Sequence, residues 1–336
     1  MNRLPLVLLV TLLGSCAADP ETTATLAVKD SIDAELTELH AAVVELREAA
    51  PEPDADGWNP TDDRPALEAM RAAWLRARVA YEHIEGAIAV LFPHIDQSTD
   101  QRYDAFIEVA GDTNLFDRTG VTGMHAVERI LWAGEHPAEV VAFESALTGY
   151  QEARTPSNEA EARAFRDELL QRLIEDVTTM RDQFAPLALD PAAAFRGVVG
   201  SMQEQFEKVR LAATGEDESR YSQLTLADMR ANLAGGRTIY GSFAEWVRSV
   251  DGGAERDARI AAGFDRVAAA YAAVPGDSLP PVPEGWNPDA PDPSQLATPY
   301  GQLWQLLSTE ADPATEGSLV AAMNDAADSI GIPTLP

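Results

Sequence analysis

Apolar residues return along this chain in alternating steps of three and four. Leu36, Leu39, Val43, Val44 and Leu46 form one stripe, and Leu67, Met70, Trp74, Ala77, Tyr81, Ile84, Ile88 and Leu91 form a second. Such spacing lines one face of an α-helix, so the second stripe predicts one long helix through residues 67–91. The same period predicts helices near residues 101–110, 122–133, 138–150, 157–184, 191–213, 224–249, 255–273, 294–308 and 315–330. No alternating apolar–polar run of useful length predicts a strand. An internal echo adds an architecture: Gly57-Trp58-Asn59-Pro60 and Gly285-Trp286-Asn287-Pro288 each follow an amphipathic stretch and a Pro-rich turn, and each precedes another helix. The expectation is an all-α protein of two related helical-bundle halves, residues 29–188 and 189–336.

The first residues follow a different pattern. Arg3, an apolar run from Leu4 to Leu13 and then Leu13-Gly14-Ser15-Cys16 read as a secretory signal of residues 1–15 ending in a lipobox. The run is shorter than the about 20 apolar residues a spanning helix needs. Cys16 is the only cysteine, which removes disulfides, thiolate metal sites and a cysteine nucleophile within one chain and leaves lipid attachment as its role. Residues 16–28 then read as a lipidated, flexible tether. Ala17 rather than Asp after that cysteine favours the outer membrane in a two-membrane bacterium, so the expected location is the cell envelope.

The formal net charge is −30, and loss of the leader, with one Arg and no acid, makes it −31. That charge excludes nucleic acid as a partner and concentrates cations around the chain, although most of it serves as a solvated surface.

Candidate chemistry gathers in three places. His125 and Glu128 lie three residues apart in "GMHAVERILW", spaced to reach one ion or to form a hydrogen-bonded pair at the edge of the core. Glu82 and Glu85 repeat the spacing on the second stripe, with Arg78 four residues before Glu82. Asp96 and Asp100 follow Pro93, where a loop could fold back on that helix. Two acidic pairs and an imidazole suit a hard or borderline cation; a solvated acidic face is the alternative. His83 and His94 read as exposed, His40 and His136 have no acidic pair placed to help them, and Ser222 reads as a helix cap rather than a nucleophile.

The segment "TGMHAVERILW" resembles the Gly-x-His-x-x-Glu stretch of the imelysin-like family. "YEHIEGAIAVLF" followed by "DQSTDQR", and "TGEDESRYSQLTLADMRANLAGG" (Thr214 to Gly236), are similar to further blocks of it, the last to its EfeO/EfeM-type branch. The resemblance implies a secreted, all-helical protein of two bundle halves that binds a metal ion, iron favoured and Zn or Mn the alternatives, for uptake with a membrane iron permease as partner. It implies His125, Glu128, Glu82, Glu85, Asp100 and Glu207 as ligands, with Asp96 the fallback for Asp100 and Glu204 for Glu207. Where the branch has Tyr-Ser-His-Thr-Asp-Leu-Trp-Asp-Phe, this chain has Tyr221 to Met229 without the His, the first Asp and the Trp.

Three functions compete. The first is metal binding and delivery. The second is a metallopeptidase, a label the family carries, although Arg129 follows Glu128 and neither zinc-peptidase pattern finds its second histidine. The third is an interaction lipoprotein whose acidic cluster is structural.

Overall fold

The computed structural model describes residues 19–109 and 111–333, and every regular element in them is helical. The first half of the chain forms α1 (Pro20–Glu48), α2 (Arg64–Glu82), α3 (Glu85–Leu91), α4 (Pro93–Asp100), α5 (Tyr103–Val109), α6 (Gly123–Leu131), α7 (Ala138–Ser145), α8 (Glu159–Ala164) and α9 (Leu170–Phe184). A π-helical turn, Phe165–Leu169, joins the last two. The second half forms α10 (Pro191–Leu211), α11 (Thr225–Arg248), α12 (Gly253–Ala273), α13 (Pro293–Leu296), α14 (Pro299–Glu310) and α15 (Leu319–Ser329). The fold is all-α with two helix-rich halves, as the periodicity predicts.

Two expectations change. Residues 20–28 are not a flexible tether: the Asp19 side chain accepts the Thr22 N–H at 3.0 Å, Pro20 sits in the first turn, and Ala24 and Val28 are buried. Capping and an apolar face together start a helix where composition alone reads as a linker. The leader and Cys16 lie outside the described residues. The stripe from Leu67 to Leu91 is also not one helix, because the chain breaks at His83 and Ile84 (φ −123°, ψ −5°). Helices α10 and α11 press on this break backbone to backbone: a Cβ on Gly235 would stand 2.1 Å from the His83 carbonyl oxygen, and one on Gly197 would stand 2.0 Å from that of Gly86. Glycine alone permits such crossings.

The two Gly-Trp-Asn-Pro stretches share a conformation. Gly57 and Gly285 are both left-handed, at φ +68° and +69°. The Asn59 side-chain oxygen accepts the N–H of Thr61 at 2.9 Å, and that of Asn287 accepts the N–H of Asp289 at 3.1 Å. Trp58 then packs edge-on against Phe165, and Trp286 against Tyr300. The halves do not stand apart: α1 packs on α2, α9 and α11, while α3 lies on α10, around one continuous apolar core. That seam carries the polar cluster.

Candidate metal centre

Gly123 opens α6 at φ +87°, and a Cβ there would stand 2.6 Å from the Thr99 carbonyl oxygen. This contact sets the end of α4, with Asp100, against the first turn of α6, with His125. Trp74 fixes the same turn by donating its indole N–H to the Met124 carbonyl at 2.9 Å. All of α6 is buried, so His125 and Glu128 sit inside the core rather than at its edge.

Glu128 spends both of its oxygens on the protein. Oε1 accepts the backbone N–H groups of Tyr221 (3.1 Å) and Ser222 (2.8 Å) and the Ser222 hydroxyl (2.7 Å), while Oε2 meets His125 Nδ1 at 2.8 Å. Ser222 is therefore a partner of Glu128 and not a helix cap; α11 starts after Leu224. With Nδ1 committed to a carboxylate, Nε2 is the ring atom left to act. It is buried without a hydrogen bond, 3.4 Å from Glu218 Oε1 and 3.5 Å from Asp100 Oδ1. Asp100, His125 and Glu218 are close enough to hold one ion.

A second acidic group adjoins the first. The helix break lets Glu82, at the end of α2, and Glu85, at the start of α3, turn to the same point, where Glu218 joins them. Lys208 of α10 places Nζ there, 3.2 Å from Glu82 Oε2, 3.0 Å from Glu85 Oε2 and 3.6 Å from Glu218 Oε2. Asn232 donates to Glu85 Oε2 at 2.5 Å. Arg78, wholly buried, binds Glu82 and Asp100 directly and lies 3.4 Å from Asp228 and 3.6 Å from Glu218. Solvent reaches these groups through a cavity of about 300 Å³, whose lining includes Glu85, Asp100, Glu204, Glu207, Lys208 and Glu218.

Acids outnumber fixed cations here, and protons make up part of the difference. Burial raises Asp100 to about 7, with Arg78 and His125 acting the other way. Burial and then the charge of Glu85 push Glu82 well above the usual carboxylate range. Burial opposes a proton on His125, yet the carboxylates of Glu128, Glu218 and Asp100 outweigh it and lift the imidazole to about 9. Glu218 goes down despite burial, held by Lys208, His125 and Arg78. An ion held beside His125 Nε2 would compete with the protons of His125 and Asp100, and mixed oxygen and imidazole donors fit Fe, Mn or Zn.

Among the residues singled out from the sequence, Glu82, Glu85, Asp100, His125 and Glu128 converge. Asp96 lies one step away, accepting the Tyr81 hydroxyl, with burial raising it to about 6. Glu207 and Glu204 line the cavity but belong to neither acidic group; Glu207 is exposed, 3.9 Å from Arg210. His94 is exposed, and His83 is half-buried against Glu35 at 3.0 Å. The anticipated loop after Pro93 is the helix α4, which packs on α9 and α6 and meets α2 through Asp96 on Tyr81 and Asp100 on Arg78. Glu218, Lys208 and Asp228 were missed. Glu218 stands in a run of three acids, Glu216 to Glu218, of which Asp217 and Glu218 are both buried, and spacing cannot say which of them reaches the cluster. Lys208 had a readable signal: it continues the buried stripe Phe195, Val198, Met202 and Gln205 of α10.

An all-helical chain with a buried His-x-x-Glu pair facing acids from several helices defines a class of candidate metal-binding bundles. Within that class, the Peptidase M75 (imelysin) family matches residues 24–309, and this chain belongs to that family. The fold is similar to the crystal structure of an imelysin-like protein from Psychrobacter arcticum 273-4, with a TM-score of 0.59 at 11% identity over 94% of this chain and 97% of that one. No curated protein sequence matches the chain.

Proposed function

We propose that this protein is a lipid-anchored protein of the bacterial cell envelope that captures one metal ion, iron first, for delivery to a membrane permease. Asp100, His125 and Glu218 are the ligands in this reading, and Glu128 orients His125. The observation that carries it is His125 Nε2, buried, without a hydrogen bond, and facing two carboxylates from other elements. Lipid on Cys16 supplies the anchor, and no helix among the described residues is long and apolar enough to cross a membrane. The permease and the choice of iron rest on the resemblance to the EfeO/EfeM-type branch.

Titration with Mn²⁺ and Fe²⁺ tests the ligand set. His125→Ala and Glu218→Gln weaken binding by more than the about 10- to 100-fold that loss of an orienting group costs; Glu128→Gln falls within that range, and His40→Ala changes nothing. Unchanged binding by the His125→Ala, Glu218→Gln double variant would sink the proposal and leave a structural acidic cluster. The family label keeps a peptidase as the second reading. Against it, Glu128, which a zinc peptidase would use as base or ligand, is hydrogen-bonded at both oxygens. Peptidase activity that co-purifies with the chain on two unrelated columns and vanishes in Glu128→Ala would favour that reading instead.

A further inference from the structure

The two acidic groups share one residue, and they share it by its two oxygens. Glu218 Oε1 lies toward His125 Nε2 at 3.4 Å, and Glu218 Oε2 lies toward Lys208 Nζ at 3.6 Å. A carboxylate that turns one oxygen to each of two neighbouring cation positions is arranged as a bridge between two ions. On the Glu82–Glu85 side, the position is already filled by the ammonium of Lys208, within 3.6 Å of all three carboxylates. On the Asp100–His125 side, the buried Nε2 makes no hydrogen bond and faces the carboxylates of Glu218 and Asp100.

We infer that Lys208 is a tethered cation standing where the second ion of a carboxylate-bridged pair would bind, and that it holds the chain to a single ion. Several features of the structure fit that role. The side chain reaches inward from the buried face of α10 rather than out to solvent. Its ammonium donates to Glu82 at 3.2 Å and to Glu85 at 3.0 Å, and the charge of Glu218 lies 3.6 Å away. The other positive charges in reach are Arg78, on Glu82, Asp100, Asp228 and Glu218, and His125, 3.4 Å from Glu218; Glu85 pairs with Lys208 and with neither of them, so removal of Lys208 takes the cation from Glu85 and one positive charge from the Glu82–Glu85–Glu218 group beside the cavity mouth. A permanent single charge in that place also denies the protein the paired-metal clamp by which two-metal enzymes stabilise attacking and leaving oxygens. Capture of one ion at a time is what remains. The inference about the first position rests on the proposed function; the one about Lys208 stands on its own geometry.

The test is the number of Mn²⁺ ions bound per chain, read by native mass spectrometry and equilibrium dialysis, in the wild type, Lys208→Arg and Lys208→Met. The expected result is one tight ion for the wild type and for Lys208→Arg, and two for Lys208→Met, the second lost again in Lys208→Met, Glu85→Gln. Lys208→Met that binds the same number of ions as the wild type overturns the inference. If Lys208→Met does not fold alone, refolding with Mn²⁺ is the second measurement: recovery of helicity on adding the ion supports the tethered-cation role, and failure to recover overturns it. A wild type that binds no ion defeats the metal reading only, since Lys208→Met gaining one ion over it would still uphold the role of Lys208.

Discussion

At the scale of single residues, the proposed ligands and the proton compete for the same lone pairs. Asp100, raised to about 7, and His125, raised to about 9, both hold protons in mildly acidic solution. Ion affinity therefore rises with pH, first as Asp100 and then as His125 gives up its proton, and calorimetry at about pH 6, 7 and 8 should show tightening with proton release at each step. The ion-free fold has the opposite slope. A His raised above its unfolded value stabilises the fold below about 6.5 and loses that contribution as pH climbs through about 9. An acid raised from 3.8 to about 7 favours the protonated native form, a contribution lost as pH rises between those values. Melting of metal-free protein should thus fall in temperature from about pH 6 to 9 while the stabilisation by added Mn²⁺ grows; a rising metal-free curve would contradict the burial of Asp100 and the hold of the carboxylates on His125.

At the scale of elements, the site depends on how closely α10 can lie on α3. A Cβ on Gly197 would stand 2.0 Å from the Gly86 carbonyl oxygen, whereas one on Gly200, a turn further along the same helix, would meet nothing within 4 Å. Gly197→Ala should cost about 1–3 kcal/mol through overpacking. It should also disturb the Lys208–Glu85 contact, because α10 carries Lys208 and α3 carries Glu85. Gly200→Ala should be neutral or stabilising by up to about 1 kcal/mol through lower backbone entropy in the unfolded chain. Thermal melts of the two variants check this directly, since equal effects would mean that the crossing does not govern the packing. The element scale is also where local pattern misleads: the stripe from Leu67 to Leu91 keeps its period across the break at His83 and Ile84, because both helices bury the same kind of face against the same core.

For the whole molecule, the net charge of −30 and the buried cluster make different predictions about salt. Ions gathered by the surface should leave as ionic strength rises, since screening acts over about 10 Å at 0.1 M salt, whereas an ion held between buried groups should stay. Titration at two salt concentrations should leave one tight ion per chain. Chelation should leave the helical circular dichroism nearly intact, because the core from Ala24 on α1 to Ile332 is apolar and independent of the acidic groups. A large loss of helix on chelation would make the ion part of the fold.

The sequence by itself determined the helical class, most helix positions, the paired Gly-Trp-Asn-Pro turns and the family, because period, capping residues and short motifs are properties of neighbouring residues. It also brought out His125, Glu128, Glu82, Glu85 and Asp100 as a group. Only the tertiary structure decided what each touches. Whether Glu128 is free or already committed depends on the N–H groups of Tyr221 and Ser222, more than ninety positions away. Glu218 and Glu207 look alike as acids in an acidic chain, yet packing turns the first inward and leaves the second in solvent beside Arg210. Lys208 falls on the buried stripe of α10, yet the carboxylates it meets are set only when α2, α3 and the loop before α11 close around it. Roles of this kind are fixed by burial and by partners distant in sequence, and neither exists until the halves have packed.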